Sequence, residues 1–288
     1  MPNPKYQRPV RHLTERVLDT MLLGGRVAGL SWRLGGHGRL RVVNESVELN
    51  VGDALPRPLR IGFASDFHAG PTTHPAVFDA LLDALRAERP DVLLLGGDYV
   101  SFDAANVAGL ARFLAAAAQA APLGTYAVLG NHDVWNGRGV IEDALRDAGV
   151  HVLVNRAAGL PAPFGAVSVC GIDDPWTGAP SAVDAFAGAG DVRIFLMHSP
   201  DGLWRLTGQR YDVGFAGHTH GGQIARKEGA PLFRPSGPYS RRYYYGRFDI
   251  SDNGPLFVSR GVGCAGIPLR LNADPELLVC TLRAAAPA

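Results

Sequence analysis

Short apolar runs recur along the chain from residue 59 onward, and amphipathic runs lie between them. Nine runs of four to six mostly apolar residues predict buried strands, at residues 59–64, 92–95, 126–129, 150–154, 167–171, 194–197, 213–216, 256–259 and 277–282. Apolar residues at helical spacing predict helices over residues 75–89, 104–121 and 141–148, with a short one near Leu203. Since these strands lack a polar face, both faces of each sheet should be covered. The pattern predicts an α/β fold of two packed sheets flanked by helices.

The N-terminal part has a different pattern and a different charge. Residues 1–41 carry eight basic and two acidic side chains, a net charge of +6, so the remainder carries −5 against an overall charge of +1. Residues 13–23 have the spacing of an amphipathic helix, and residues 40–51 alternate around Asn44-Glu45-Ser46 as in a hairpin with one wet face. We therefore predict a basic appendage of residues 1–55 and a main domain of residues 56–288.

Two interpretations of the basic helix stay open. Its apolar face could pack on the domain or on a second copy of the chain. It could also lie on anionic lipid, because cationic charge and an apolar face favour a membrane interface together. The sequence carries no indication of oligomeric state.

Composition excludes several classes of protein. The overall charge is near zero and the main domain has no basic stripe, so nucleic acid is not expected as a partner. The three cysteines are odd in number and form no Cys-x-x-Cys pair, which favours a reducing compartment. No run reaches the roughly 18 apolar residues of a membrane span. The expected location is the cytoplasm, either free or peripheral on the inner face of the membrane.

Polar side chains that bind metals follow five of the predicted strands, at the point where each strand ends. The segments are Asp66-Phe67-His68, Gly96-Gly97-Asp98, Gly130-Asn131-His132-Asp133, His198 and Gly217-His218-Thr219-His220. Each one alone has an ordinary interpretation, as surface polarity, a turn or a helix cap. Five in succession favour a metal site, because ligands of such sheets bind outside the carboxyl ends of the strands. Oxygen and nitrogen donors without thiolate suit Mn, Fe or Zn.

These segments and their order resemble the calcineurin-like metallophosphoesterase family from about residue 59 to the C-terminus. The resemblance implies a four-layer sandwich of the α+β type, in which two mixed sheets are packed together with helices outside. It also implies two divalent ions, Mn, Fe or Zn, and a role for each matching residue. By position, Asp66, His68 and His220 would bind the first ion, Asn131, His198 and His218 would bind the second, and Asp98 would bind both. His132 would either protonate the leaving group as the catalytic acid or steady the phosphate, and Asp133 would orient His132.

The resemblance also implies a reaction. A hydroxide that bridges the two ions would attack the phosphorus of a phosphodiester or pyrophosphate, and His132 would protonate the departing oxygen. No covalent enzyme intermediate is required. Residues 56–288 are accordingly expected to be the catalytic domain.

Further matches point to one bacterial branch of the family. They are residues 171–176 (Gly-Ile-Asp-Asp-Pro-Trp), 221–223 (Gly-Gly-Gln), 259–263 (Ser-Arg-Gly-Val-Gly) and 267–270 (Ile-Pro-Leu-Arg). The branch includes membrane-associated phosphoesterases, some of which are UDP-2,3-diacylglucosamine pyrophosphatases. This implies a lipid-linked or nucleotide-sugar substrate. Alternatives are a broad soluble phosphodiesterase or phosphomonoesterase acting on nucleotides and, from another class, a metal-binding scaffold without activity.

Substrate-binding candidates lie in the loops around the five segments. The Arg- and Tyr-rich residues 225–254 are expected to be irregular. They could form a wall of the site, with arginines that bind phosphate, or a solvated loop with an aromatic anchor. The candidates are His74, Asp174, Trp176, Arg241, Arg242 and Arg270.

Overall fold

The computed structural model describes residue 17, residues 20–233 and residues 237–285. The loose end expected at residues 1–9 and most of the helix predicted over residues 13–23 lie outside these residues. Within the described part, no helix is long and apolar enough to cross a membrane.

In the described residues, twelve strands form two six-stranded sheets. The first sheet has the order β1-β12-β2-β3-β4-β5. Its strands are β1 (Arg41–Leu49), β2 (Leu59–Ala64), β3 (Val92–Leu95), β4 (Thr125–Ala127), β5 (His151–Val152) and β12 (Glu276–Ala284). Strands β2 to β5 run parallel, β12 runs antiparallel to β2, and β1 runs parallel to β12.

The second sheet has the order β10-β11-β9-β8-β7-β6. Its strands are β6 (Arg156–Gly159), β7 (Val167–Gly171), β8 (Val192–Leu196), β9 (Val213–Ala216), β10 (Gly246–Asp249) and β11 (Pro255–Val258). Strands β7, β8, β9 and β11 run parallel, and the two edge strands β6 and β10 run antiparallel to their neighbours. Both sheets are therefore mixed, as the resemblance implied.

Helices cover the outer faces of the sheets. They are α1 (Arg26–Arg33), α2 (Ala76–Glu88), α3 (Ala111–Ala120), α4 (Asn131–Asp147), α5 (Ala182–Ala185) and α6 (Pro238–Arg242), with short 3-10 segments that include Ala104–Leu110 and Pro200–Arg205. The prediction of two packed mixed sheets flanked by helices is confirmed.

Strand β3 shows how an apolar run fills two cores. Val92 and Leu94 face the second sheet, whereas Leu93 and Leu95 face the layer of α2 and α3. Because successive side chains of a strand point to opposite faces, a strand between two apolar layers needs an apolar residue at every position. This accounts for the absence of alternation that the sequence shows.

The hairpin predicted for residues 40–51 is wrong. Residues 41–49 form the single strand β1, which pairs in register with all of β12. Asn44-Glu45-Ser46 continue the strand because no glycine offers a turn, and the alternating exposure is that of an edge strand with one wet face. The division at residue 55 stays a prediction, although β1 joins residues 41–49 to the first sheet.

Two further segments differ from their predicted structure. Residues 141–148 are only the second half of α4, which begins at Asn131 and kinks at Gly137, where φ is 153°. The side chains of the first half face the candidate site and are polar. This half therefore lacks the apolar spacing from which a helix is predicted. Residues 225–254 are not wholly irregular, since they contain α6 and β10.

Candidate active site

The carboxyl ends of five parallel strands place the five polar segments together. Strands β2, β3 and β4 end at one edge of the first sheet, and β8 and β9 end at the same edge of the second. The two sheets are joined there by hydrogen bonds: the Gly96 carbonyl lies 2.8 Å from His198 Nδ1, and the His218 amide donates to the Asp66 carboxylate at 3.0 Å. The structure thus brings all seven predicted ligand residues into one cluster.

The first group of candidate ligands is Asp66, His68 and His220. Their ligand atoms lie within 4.8 Å of one another. Nε2 of His68 is 3.0 Å from Nε2 of His220, and Nε2 of His220 is 3.4 Å from Oδ1 of Asp66. All three side chains are buried.

The second group forms around Asp98. Its Oδ2 lies 3.4 Å from His198 Nε2 and 3.5 Å from His68 Nε2, so this carboxylate lies between the two groups. His198 Nε2 is 3.2 Å from both Asn131 Oδ1 and His218 Nδ1. Asp98, His198 and His218 form one further set of ligand atoms within 4.8 Å, and His68, Asp98 and His132 form another.

The backbone holds these residues in an unfavourable conformation. Asp66, His68, Asp98, His218 and His220 all have positive φ, between 45° and 70°. A non-glycine residue in this region costs about 1–2 kcal/mol. Such strain persists where the surrounding structure fixes it, and it is concentrated at functional sites. Its coincidence with five of the seven ligand candidates marks this cluster as the functional centre.

Two glycines make the close approach of the loops possible. A Cβ on Gly130 would overlap the carboxylate of Asp98, and a Cβ on Gly217 would overlap that of Asp66. Glycine at both positions is therefore required by space beside the ligands.

Three of the four candidate imidazole ligands are in the neutral state that binds metals. Burial lowers the pKa of His68 to about 3 and that of His218 to about 4, and it lowers the pKa of His220 well below its ordinary value. These rings are neutral at pH 7 and have lone pairs available. His198 differs: burial would lower its pKa, but the Asp98 carboxylate beside it raises it to about 10.

The carboxylates give the cluster its negative charge. Burial would raise the pKa of Asp98, but the charge of His198 lowers it well below its ordinary value. Burial raises the pKa of Asp66 to about 6, which still leaves the group mostly ionised at pH 7. Buried carboxylates that lie beside imidazoles at these distances fit divalent cations, because a cation compensates the carboxylate charge and uses both kinds of donor.

His132 lies at the opening of the cluster and is half-buried. Its Nδ1 is 2.7 Å from the carbonyl oxygen of Ser101, and its ring packs edge-on at 4.8 Å from that of His68. The amide of Asn136 donates to the same carbonyl at 3.2 Å. A carbonyl oxygen only accepts, so the proton of neutral His132 is on Nδ1 and Nε2 is left for another partner.

The structure gives Asp133 a different task from the predicted one. Its carboxylate accepts hydrogen bonds at 2.8 Å from the backbone amides of Asp98, Tyr99 and Gly130. It therefore fixes the loop that carries Asp98 to the first turn of α4. The Ser101 carbonyl, and not Asp133, orients His132.

Arg270 is not exposed to a substrate, contrary to its prediction as a substrate contact. The side chain is buried, and its guanidinium donates to the carbonyls of Gly263, Ala273 and Arg260. Its Nη2 lies 3.2 Å from Nδ1 of His220.

The other substrate candidates differ in their surroundings. His74 stacks on Trp32 with ring centroids 5.1 Å apart. Asp174 is buried and caps its own turn through the amide and hydroxyl of Thr177, with Oδ2 unpaired. Three candidates are exposed and make no described contact with the ligands: Trp176, Arg241 and Arg242.

Sequence reasoning missed the main-chain groups that orient the histidines. The Gly96 carbonyl contacts His198, and the Ser101 carbonyl contacts His132. Every residue has a backbone carbonyl, so the residue type gives no indication of such a contact. The one usable signal was spacing, since Ser101 follows Asp98 in the same short loop.

Comparison with known proteins agrees with this geometry. The family described as Calcineurin-like phosphoesterase matches residues 59–222. Phosphodiesterase YaeI of Escherichia coli (strain K12) is 31% identical over 230 residues, which cover 78% of this chain and 82% of that protein. An uncharacterized metallophosphoesterase of Aquifex aeolicus (strain VF5) is 30% identical over 251 residues, covering 85% of this chain and 92% of that protein.

Solved structures give a more distant likeness. The 5'-nucleotidase precursor of Thermus thermophilus superposes with a TM-score of 0.47 at 18% identity, over 78% of this chain and 55% of that chain. The family match and the two sequence relatives are decisive: the chain belongs to the calcineurin-like phosphoesterases and is a metal-dependent phosphoester hydrolase.

Proposed function

We propose that the protein hydrolyses a phosphodiester or pyrophosphate bond in a lipid-linked or nucleotide-sugar substrate, with two divalent ions at the cluster. The convergence of buried carboxylate and imidazole groups from five strand ends carries the proposal. Asp66, His68 and His220 would hold the first ion. Asn131, His198 and His218 would hold the second, and Asp98 would touch both because it belongs to ligand sets on either side. The donor set fits Mn, Fe or Zn.

When bound, two such ions supply an activated water as nucleophile and neutralise the charge that builds on the phosphoryl oxygens. The chain supplies the proton for the leaving group. His132 is suited to this because the Ser101 carbonyl holds Nδ1 and directs Nε2 away from that bond. A protonated His132 would donate from Nε2 to the departing oxygen.

One cavity is lined by residues that directly follow His68 in the chain. It has a volume of about 480 Å³. One wall contains Ala69 and Gly70, which directly follow His68, and another contains Gly24 and Gly25 at the start of α1. The volume lies within the range of about 300–1,000 Å³ that is usual for small-molecule pockets.

An apolar surface next to this cavity supports a lipid link. Nine of the fifteen exposed large apolar side chains of the described part lie in three segments, residues 21–34, 232–233 and 267–271. We call these nine the apolar surface: Met21, Leu23, Leu30, Leu34, Leu232, Phe233, Ile267, Leu269 and Leu271.

The three segments contact one another. Ser31 donates to the carbonyl of Pro268, and Leu271 pairs with Ile224, whose carbonyl accepts from the amide of Leu232. Exposed basic side chains accompany them, namely Arg26, Arg33, Arg39, Arg226 and Lys227. Because apolar and cationic side chains together favour anionic lipid, we propose that this surface contacts the membrane peripherally.

The alternative is a broad phosphodiesterase or phosphomonoesterase on soluble nucleotides; the name of the Escherichia coli relative, a phosphodiesterase, fits either substrate class. Binding to lipid vesicles and substrate preference distinguish the two functions. We expect the protein to co-sediment with phosphatidylglycerol vesicles more than with phosphatidylcholine vesicles, and to hydrolyse UDP-2,3-diacylglucosamine in preference to bis-p-nitrophenyl phosphate. Leu30→Ser combined with Leu269→Ser should weaken vesicle binding about tenfold or more, because each buried CH₂ contributes about 0.8 kcal/mol.

The control is Val140→Ser combined with Val183→Ser, which removes two exposed apolar side chains from other helices. Vesicle binding should not change in this variant. Equal loss in both double variants, or a preference for the soluble diester without vesicle binding, would favour the alternative.

A further inference from the structure

Arg260 lies at the same edge of the second sheet as the candidate ligands. It follows strand β11, which runs parallel to β9. The Ser259 amide donates to the Ala216 carbonyl at 2.9 Å, so the two strands leave the sheet side by side. Strand β9 leads into the candidate ligands His218 and His220. Since such sheets bind their ligands at the carboxyl ends of the strands, Arg260 is in a position to contact the substrate.

Arg260 lies against the loops of two candidate ligands of the first ion. The next residue, Gly261, packs so closely on Asp66 that a Cβ added there would lie 2.6 Å from the Asp66 Cβ. A Cβ added to Gly221, which follows His220, would lie 2.8 Å from Cγ of Arg260 and 3.4 Å from its Nε. The side chain of Arg260 therefore runs along the backbone next to His220.

The guanidinium of Arg260 lies on an aromatic ring. Its Cζ is 3.8 Å from the centroid of the Tyr245 ring, which is within the range of a cation–π contact. The neighbouring Tyr244 carbonyl accepts from the Thr219 hydroxyl at 2.6 Å, and this bond joins the aromatic segment to the loop that carries His220. The ring therefore holds the guanidinium in place relative to the candidate ligands.

The N–H groups of this guanidinium are not used within the described part of the chain. There, the half-buried side chain donates no hydrogen bond and forms no ion pair within 4.0 Å. Glu276 binds the backbone instead, since its carboxylate accepts from the Arg260 amide at 3.1 Å. A guanidinium has five N–H donors in a planar fork that fits the oxygens of a phosphate. A half-buried cation with unused donors is thus suited to bind an anion.

Arg260 differs in this respect from the arginines that the sequence suggested. The Arg270 guanidinium is buried and donates to three backbone carbonyls. Arg241 and Arg242 are exposed and make no described contact with the candidate ligands. Of these four side chains, only that of Arg260 combines unused donors with a place against the ligand loops.

We propose that Arg260 binds the second phosphate of a pyrophosphate substrate, the one that is not attacked. This inference rests on the proposed function, in which the attacked phosphate lies at the ligand cluster. Water forms a bond to the attacked phosphorus, the bond from that phosphorus to the bridging oxygen breaks, and the second phosphate keeps the bridging oxygen. The guanidinium fork of Arg260 neutralises the charge of the second phosphate. Arg260 thereby favours pyrophosphates over esters that have a single phosphate.

The test compares two uridine nucleotides that differ by one phosphate group. α,β-Methylene-UDP and UMP would compete with bis-p-nitrophenyl phosphate at initial rates, with Mn²⁺ in excess over both nucleotides. Wild-type protein should bind α,β-methylene-UDP more tightly than UMP. Arg260→Gln should raise the inhibition constant of α,β-methylene-UDP about 10- to 100-fold, the loss expected for hydrogen bonds to a charged group, and that of UMP by less than about threefold. Arg260→Lys, which keeps the charge without the fork, should have an intermediate effect.

The matched control is Arg57→Gln. Arg57 also lies over an aromatic ring, that of Phe164 at 4.9 Å. It precedes β2, however, and therefore lies at the opposite edge of the first sheet from the candidate ligands. Both inhibition constants should be the same in this variant as in the wild-type protein.

Each other outcome has a defined meaning. An unchanged inhibition constant of α,β-methylene-UDP in folded Arg260→Gln protein would overturn the proposal, as would equal losses for both nucleotides. Equal binding of both nucleotides by the wild-type protein would also overturn it. Loss of the native circular dichroism in both Arg260 variants would overturn it in favour of a structural role. Failure of the proposed function gives a different result, in which wild-type protein prefers α,β-methylene-UDP to UMP but does not hydrolyse UDP-2,3-diacylglucosamine in preference to bis-p-nitrophenyl phosphate.

Discussion

Asp98→Asn should lower the hydrolysis of bis-p-nitrophenyl phosphate by on the order of 10³-fold or more. Asp98 lies between the two ligand groups, with Oδ2 3.5 Å from His68 Nε2 and 3.4 Å from His198 Nε2. Its Oδ1 accepts from the His132 amide at 2.8 Å. Asparagine keeps the shape but has no charge and only one acceptor oxygen, so it cannot hold two cations. A 10³-fold loss corresponds to about 4 kcal/mol of transition-state stabilisation.

Metal content separates this role from a general loss of structure. The Asp98→Asn protein should keep its circular dichroism and bind fewer than two ions. Asp103→Asn is the control, because Asp103 follows in the same loop and its side chain is exposed and only caps the next turn. Turnover by Asp98→Asn within tenfold of wild type, with two ions bound, would exclude Asp98 as the shared ligand.

His132→Asn should lower kcat by about 10²- to 10⁴-fold while leaving two ions bound. His132 is half-buried at the opening, and the Ser101 carbonyl fixes its Nδ1 at 2.7 Å. If Nε2 protonates the leaving oxygen, the loss depends on how much the leaving group needs a proton. The defect should be large for an alkyl or nucleoside ester and much smaller for p-nitrophenolate, which leaves without one.

The control for His132 is His151→Asn. His151 is exposed and stacks on Tyr126 at 5.1 Å, away from the ligands. Its replacement should leave kcat unchanged for every leaving group. An equal defect of His132→Asn on both classes of ester would assign His132 to phosphate binding instead of proton donation.

The position of the cluster could be predicted because the sequence shows where the strands end. Apolar runs such as residues 92–95 end abruptly in Gly-Gly-Asp, and the parallel arrangement brings such ends to one edge. The structure places Asp66, Asp98 and His198 there with separations of a few ångströms. The predicted bounds of β2, β3, β7 and β9 agree with the structure to the residue.

The support behind the ligands could not be predicted, because it consists of groups without a sequence signal. The carbonyl that orients His132 belongs to Ser101, but any residue has a carbonyl. Asp133 adjoins His132 in sequence, yet the first turn of α4 directs its carboxylate to three backbone amides. Arg270 resembled a phosphate ligand by type, and only the folding of residues 260–273 shows that it faces inward.

The pairing of β1 could not be predicted for a related reason. Its alternating pattern fits either a hairpin or one edge strand, and the choice depends on a partner more than 200 residues away. Pairing with a parallel strand at that separation produces no recognisable pattern in the neighbouring sequence.

Metal reconstitution tests the central claim most directly. Protein stripped of metal would receive Mn²⁺ in steps, and hydrolysis of bis-p-nitrophenyl phosphate would be measured at each step. The account predicts no turnover without metal and full turnover when about two ions are bound per chain. Turnover that survives stripping, or that returns with none of Mn, Fe and Zn, would contradict it.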